Sequence, residues 1–269
     1  MLSVIPKSEA SRRERASFFD TGLVLSMVLA LGAVPLAPGR STWLLLAVVL
    51  AVLTVVSVRR RFQPAMQLGL LGTLLLLTLA GFESLKLWPL PAMVAGACWG
   101  VSMLVAPLGR RPSWLRRGHL NATIAALIFA AVVVSAVALL VWFQVARPDY
   151  RSLRGTLLLE MPMPLLCLCV LSFAMINAAA EEFLYRGALM SALDETLGTG
   201  VASIVIQAAA FGLLHLDGFP RGPVGVALAT IYGLMMGVVR RRADGMLAPC
   251  IAHVATDVAI GAILLNALH

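Results

Sequence analysis

Long apolar stretches alternate along this chain with short segments that carry arginine, glycine and proline. A membrane-spanning helix takes about 20 mostly apolar residues. Nine stretches approach that length: 21–38, 42–58, 65–82, 89–107, 120–144, 156–180 with a polar continuation to about 195, 200–216, 223–239 and 246–267. The pattern predicts an all-α fold, a polytopic transmembrane bundle of about 8–9 helices. The count turns on whether the sixth and seventh stretches cross fully. Prolines and glycines mark the joins, as in Pro35-Leu-Ala-Pro-Gly39 and Gly218-Phe-Pro-Arg-Gly-Pro223.

Polar positions divide the chain. Almost no ionisable residue interrupts the first five apolar runs, whereas Glu160, Glu181, Glu182, Arg186, His215, Asp217, His253 and Asp257 lie in or against the later ones. Residues 1–19 therefore read as a cytoplasmic N-terminal tail, 20–150 as a transmembrane scaffold of about five helices, and 151–269 as the working membrane domain, expected to hold an intramembrane active site. No internal repeat stands out, which weighs against a transporter built from inverted repeats.

Composition makes the membrane reading firm. Of 269 residues, 60% are hydrophobic and 13% charged, against about 25% charged in soluble domains; the mean hydropathy is +0.93. The net charge of +8 would raise the question of nucleic acid in a soluble protein. Here the cations cluster between apolar runs (Arg12, Arg13, Arg15; Arg59 to Arg61; Arg110, Arg111, Arg116, Arg117; Arg240 to Arg242), as the positive-inside rule produces, and nucleic-acid binding is not expected. With the N-terminus cytoplasmic, the 59–61 and 110–117 clusters fall inside, while Arg147, Arg151 and Arg154 land outside, against the rule. The first 20 residues lack the apolar core of a cleavable signal. The expected location is a bacterial inner membrane, crossed several times. Trp43, Trp88 and Trp142 near run ends read as interface anchors. Cys98, Cys167, Cys169 and Cys250 lie in apolar runs and read as buried free thiols.

Chemistry concentrates in three places. In Glu181-Glu182-Phe-Leu-Tyr-Arg186, charges sit beside a long apolar run, where each costs on the order of 3 kcal/mol near the bilayer centre. In a helix Glu182 and Arg186 share a face at i,i+4 and can pair, while Glu181 is rotated about 100° away. His215 ends a run that also carries Gln207, and His253 precedes Asp257 by one turn. Taken singly, each has a plain reading: a histidine bonded to a carbonyl, Asp257 merely orienting His253, Asp217 and Glu160 interfacial, Asp194 and Glu195 surface charges. Taken together, an unpaired glutamate, two histidines and an aspartate on three helices can activate water and steady an oxyanion. A carboxylate in a low-dielectric site is also a stronger base. Glutamate with two histidines could equally hold a divalent metal, and sequence spacing leaves that open.

These three motifs, Glu-Glu-x-x-x-Arg, Phe-x-x-x-His and His-x-x-x-Asp/Asn in that order on successive apolar helices, resemble the CPBP intramembrane protease family. That family includes the CAAX prenyl endopeptidases and bacterial Abi-like membrane proteins. The resemblance spans about 165–265; residues 1–150 carry no matching motif. It implies an endopeptidase acting near the C-terminus of a membrane-embedded or lipid-modified protein substrate within the lipid bilayer. By the resemblance, Glu181 activates the water with help from His215, His253 and Asp257 stabilise the oxyanion, and Glu182 with Arg186 is a supporting ion pair. Many members carry asparagine where this chain has Asp257. Catalysis in the family is described both as glutamate-based without a cofactor and as zinc-dependent; a bound Zn would take Glu181, His215 and His253. One bacterial specialisation would be removal of C-terminal sorting segments from surface proteins. The rival expectations are a non-catalytic scaffold or bacteriocin-immunity protein of the same fold, and a proton-coupled transporter. The site also makes a geometric demand. His253 is expected roughly 15 Å deep, so the 217–223 loop must dip inward for His215 to meet it.

Overall fold

The computed structural model describes residues 17–36, 39–81, 89–105, 112–146 and 161–268. Among them are nine helices and no strand: α1 (Phe18–Gly32), α2 (Arg40–Arg59), α3 (Gln63–Gly81), α4 (Leu90–Val105), α5 (Ala122–Ala146), α6 (Met163–Leu197), α7 (Val201–Leu214), α8 (Pro223–Ala243) and α9 (Leu247–Leu268). Each of the nine apolar stretches is thus a helix, with ends displaced by a few residues. Seven helices are long and apolar enough to cross a membrane, and α4 and α7 are shorter. The sixth stretch is one 35-residue element, in which Phe183–Leu189 takes π-helical geometry. The protein is a multi-pass integral membrane protein. Expectations for Trp88, Glu160, Arg110, Arg111, Arg147, Arg151, Arg154 and the tail to residue 16 lie outside the described residues.

Small residues set the closest helix contacts. Without a hydrophobic driving force in lipid, helices gain most from backbone proximity and interhelical hydrogen bonds. Along α8, Gly225, Ala229, Gly233 and Gly237 recur every four residues and form one stripe. A Cβ at Gly233 would lie 2.9 Å from Ala208 Cα, and one at Gly212 on α7 would lie 2.8 Å from Val226 O. Gln207 crosses the same seam, its Nε2 donating to Gly233 O at 2.8 Å and Ile204 O at 3.0 Å. Elsewhere α2 packs along α3, and α9 lies against both α6 and α5. The cysteines are free thiols, but burial was the wrong expectation: Cys98 and Cys167 are exposed and Cys169 and Cys250 half-buried, on helix faces that an apolar solvent can cover.

One polar tie fixes the working helices to the rest, and a second joins two helices of the scaffold. Residues 116–119 run beside the α8–α9 turn: His119 N donates to Ala243 O (2.9 Å), Met246 N to Arg116 O (2.8 Å) and Leu247 N to Arg117 O (3.2 Å). Arg116 also pairs with Asp244. Gly118, at φ +74, lets the two backbones touch, since a side chain there would meet Gly245. This strap fixes where α9 begins. At the start of α1, Ser17 and Asp20 form a reciprocal capping box, and Asp20 Oδ1 accepts from Arg60 Nε at 2.7 Å, joining α1 to the end of α2.

Candidate active site

α6 supplies most of the buried polar groups. Its sequence puts Asn177 and Glu181 one turn apart on one face and Ala178 with Glu182 on the next, and both faces are buried against other helices. Glu182 and Arg186 are fully buried. Arg186 Nη1 donates to Glu182 Oε1 at 2.9 Å, the i,i+4 pair expected from spacing. The π turn that follows Glu182 coincides with close packing: Trp114, from the segment before α5, lies on Gly187, where a Cβ would come within 2.7 Å of its ring. Trp114 stacks with Trp99, and Phe183 meets both edge-on at 4.7 and 5.0 Å.

His253 joins the two carboxylates. Its Nδ1 is 2.8 Å from Glu182 Oε1. That carboxylate already accepts from Arg186, so the proton belongs to His253 Nδ1, which donates. On the other side of the ring, Nε2 is 3.5 Å from Glu181 Oε2 and 3.7 Å from Asp257 Oδ1. Both distances exceed a direct hydrogen bond. Glu182 is therefore more than the partner of Arg186: it also fixes the imidazole, a contact across helices that spacing along one helix does not reveal. Six residues separate His253 from Leu247 at the start of α9, a rise of about 9 Å, shallower along the helix than the 15 Å expected.

His215 reaches this group through Phe211. It follows the last residue of α7 and its Nδ1 is 3.1 Å from Phe211 O. The Phe211 ring lies 4.8 Å from the His215 ring and 6.3 Å from that of His253, and the Arg186 guanidinium sits 4.5 Å over its face, a cation–π contact. Tyr232 on α8 meets His253 edge-on at 5.3 Å. The 217–223 loop folds back on α7, Gly222 N donating to Leu216 O at 2.9 Å, with Phe219 against Trp142 on α5 at 5.4 Å. Asp217 and Glu195 are exposed, and Asp194 is ion-paired with Arg241 at 2.7 Å.

The structure thus brings Glu181, Glu182, Arg186, His253 and Asp257 into contact and places His215 one aromatic ring away. Among the described residues no three His, Cys, Asp or Glu side chains converge as a metal-binding group. Of the three ligands named for a bound Zn, Glu181 and His253 approach each other, and His215 stands across the Phe211 ring from them. Sequence reading missed Asn177, whose Nδ2 donates to Asp257 Oδ2 at 2.9 Å. The available signal was an amide inside an apolar run one turn before Glu181.

Apolar helices thus enclose two glutamates, an aspartate, an arginine and a histidine in one polar cluster. Residues 163–259, roughly a third of the chain, match the family model described as type II CAAX prenyl endopeptidase Rce1-like. That match covers the three polar motifs and agrees with the resemblance they carry. No curated protein and no solved structure matches the chain.

Proposed function

We propose that the protein is an intramembrane endopeptidase that hydrolyses a peptide bond near the C-terminus of a lipid-modified or membrane-embedded protein, with Glu181 as general base. The observation that carries this reading is the division of labour between adjacent glutamates. Glu182 is held by Arg186 and by His253 Nδ1, while Glu181, 5% exposed, stands outside that hydrogen-bonded pair with its carboxylate on the Nε2 side of His253.

In this reading Glu181 takes a proton from water, assisted by His215, as the water oxygen bonds to the scissile carbonyl carbon. The carbonyl oxygen becomes the oxyanion. Because His253 Nδ1–H is committed to Glu182, its Nε2–H is available to an oxyanion in the doubly protonated ring, with Asp257 beside it. Collapse of the intermediate breaks the C–N bond, and the proton on Glu181 passes to the departing amine. A cavity of about 450 Å³, lined by Leu71, Leu75, Met93, Ala180, Phe183 and Leu184, lies on the neighbouring face of α6. Its apolar walls and size, within the usual range of about 300–1,000 Å³, suit an apolar chain on the substrate.

The test uses the purified full chain in liposomes with a fluorogenic peptide bearing a farnesylated cysteine three residues from its C-terminus. Glu181→Gln keeps the side chain's shape and removes the base, so kcat should fall about 10²–10⁴-fold, the usual worth of a positioned general base. Retention of activity within tenfold would overturn the assignment, and equal silence of the wild type would count against the protease reading itself.

A further inference from the structure

Asn177 is buried in an apolar helix at 7% exposure, and the hydrolytic scheme gives it no part. It lies one turn before Glu181 on the same face of α6, and its amide crosses to α9, where Nδ2 donates to Asp257 Oδ2 at 2.9 Å. The other oxygen of Asp257 is 3.7 Å from His253 Nε2. The two oxygens are thus divided, one tied to the amide and one turned toward the imidazole without reaching it. Three carboxylates surround this one ring. Glu182 is matched by a guanidinium; Asp257 is matched by an amide, which donates without adding a charge.

We infer that Asn177 is a positioning residue: its amide holds Asp257 back from His253 Nε2 and so keeps that edge of the ring open to Glu181 and to the substrate oxyanion. Without the donor, Asp257 is free to rotate about Cα–Cβ and close the remaining gap onto Nε2, blocking the position that both need. The consequence for catalysis rests on the proteolytic reading above; the consequence for His253 does not.

The chain has four histidines, His119, His215, His253 and His269, so ¹⁵N-histidine NMR of the full chain in detergent micelles can follow His253 without any substrate. Three variants are compared with wild type: Asn177→Ala, the near-isosteric Asn177→Asp, and Asn177→Asp combined with Asp257→Asn, which exchanges amide and carboxylate across the same contact. The ring resonances of His253 should move in both single variants while those of the other histidines stay, and should return toward their original positions in the exchanged pair. On the farnesylated peptide, Asn177→Ala should lower kcat about tenfold, the size of one lost charge-assisted hydrogen bond, with KM changed less than twofold. Unmoved His253 resonances in the single variants would overturn the inference. So would a loss of thermal stability that the exchanged pair fails to recover, which would reduce Asn177 to helix packing. If Asn177→Ala does not fold, the Asp variant and the exchange carry the decision. If wild type cleaves nothing, the proteolytic reading fails while the histidine spectrum still decides this one.

Discussion

Arg186 has no solvent contact, and two neighbours offset part of the cost of burying it. One nitrogen donates to Glu182, and the guanidinium carbon sits 4.5 Å from the centre of the Phe211 ring, so an ion pair and a ring face share the compensation. Removing one member of a buried pair leaves the other charge stranded and costs about 3–5 kcal/mol. Arg186→Met should therefore lower unfolding stability by about that much in an SDS-titration assay, and pairing it with Glu182→Gln should cost less than the sum of the two single changes. Additive losses would mean the pair is not coupled. At this scale the i,i+4 pairing of Glu182 with Arg186 was legible, because one helix fixes it. The bonds from Glu182 to His253 and from Asn177 to Asp257 were not. Both span α6 and α9, and the register between two helices leaves no trace in the spacing along either.

Helix seams carry the next level of organisation. The α7–α8 contact brings His215 and Tyr232 toward α9, and its closeness depends on Gly212, Gly233 and Gly237 having no side chain. A methyl at Gly233 has to displace the Ala208 backbone, so Gly233→Ala should destabilise by about 1–3 kcal/mol, as overpacking does. Gly100 on α4 offers the contrast, since a Cβ there meets nothing within 4 Å; Gly100→Ala should be neutral or stabilising by up to about 1 kcal/mol from helix propensity. Thermal melts of both variants in one detergent check the pair, and equal effects would contradict the close-packing account. All nine helices were legible from hydropathy, because apolar length alone sets a span. The π geometry of Phe183–Leu189 was not, since it goes with Trp114 lying on Gly187 from a distant loop. The strap of residues 116–119 against the α8–α9 turn escaped notice for a related reason: apart from the Arg116–Asp244 pair it is made of backbone hydrogen bonds, which side-chain pattern does not encode.

At the scale of the molecule, ionisable groups are gathered in the last four helices, and the first five helices are nearly free of them within their spans. That asymmetry was visible in the sequence, and the three motifs it isolated fall inside the family match at 163–259. What the sequence could not supply was how His215 stands to the rest, because the answer is a ring, Phe211, shared between two imidazoles and a guanidinium. The central claim is that Glu181 cuts membrane-associated proteins near their C-termini. Its most direct test compares membrane-protein C-termini by mass spectrometry in cells carrying the wild-type chain or Glu181→Ala at matched expression. A defined set of proteins should keep extra C-terminal residues only in the variant strain. Identical C-termini in the two strains, with any loss-of-gene phenotype still rescued by Glu181→Ala, would contradict the claim and leave a protein that works by binding.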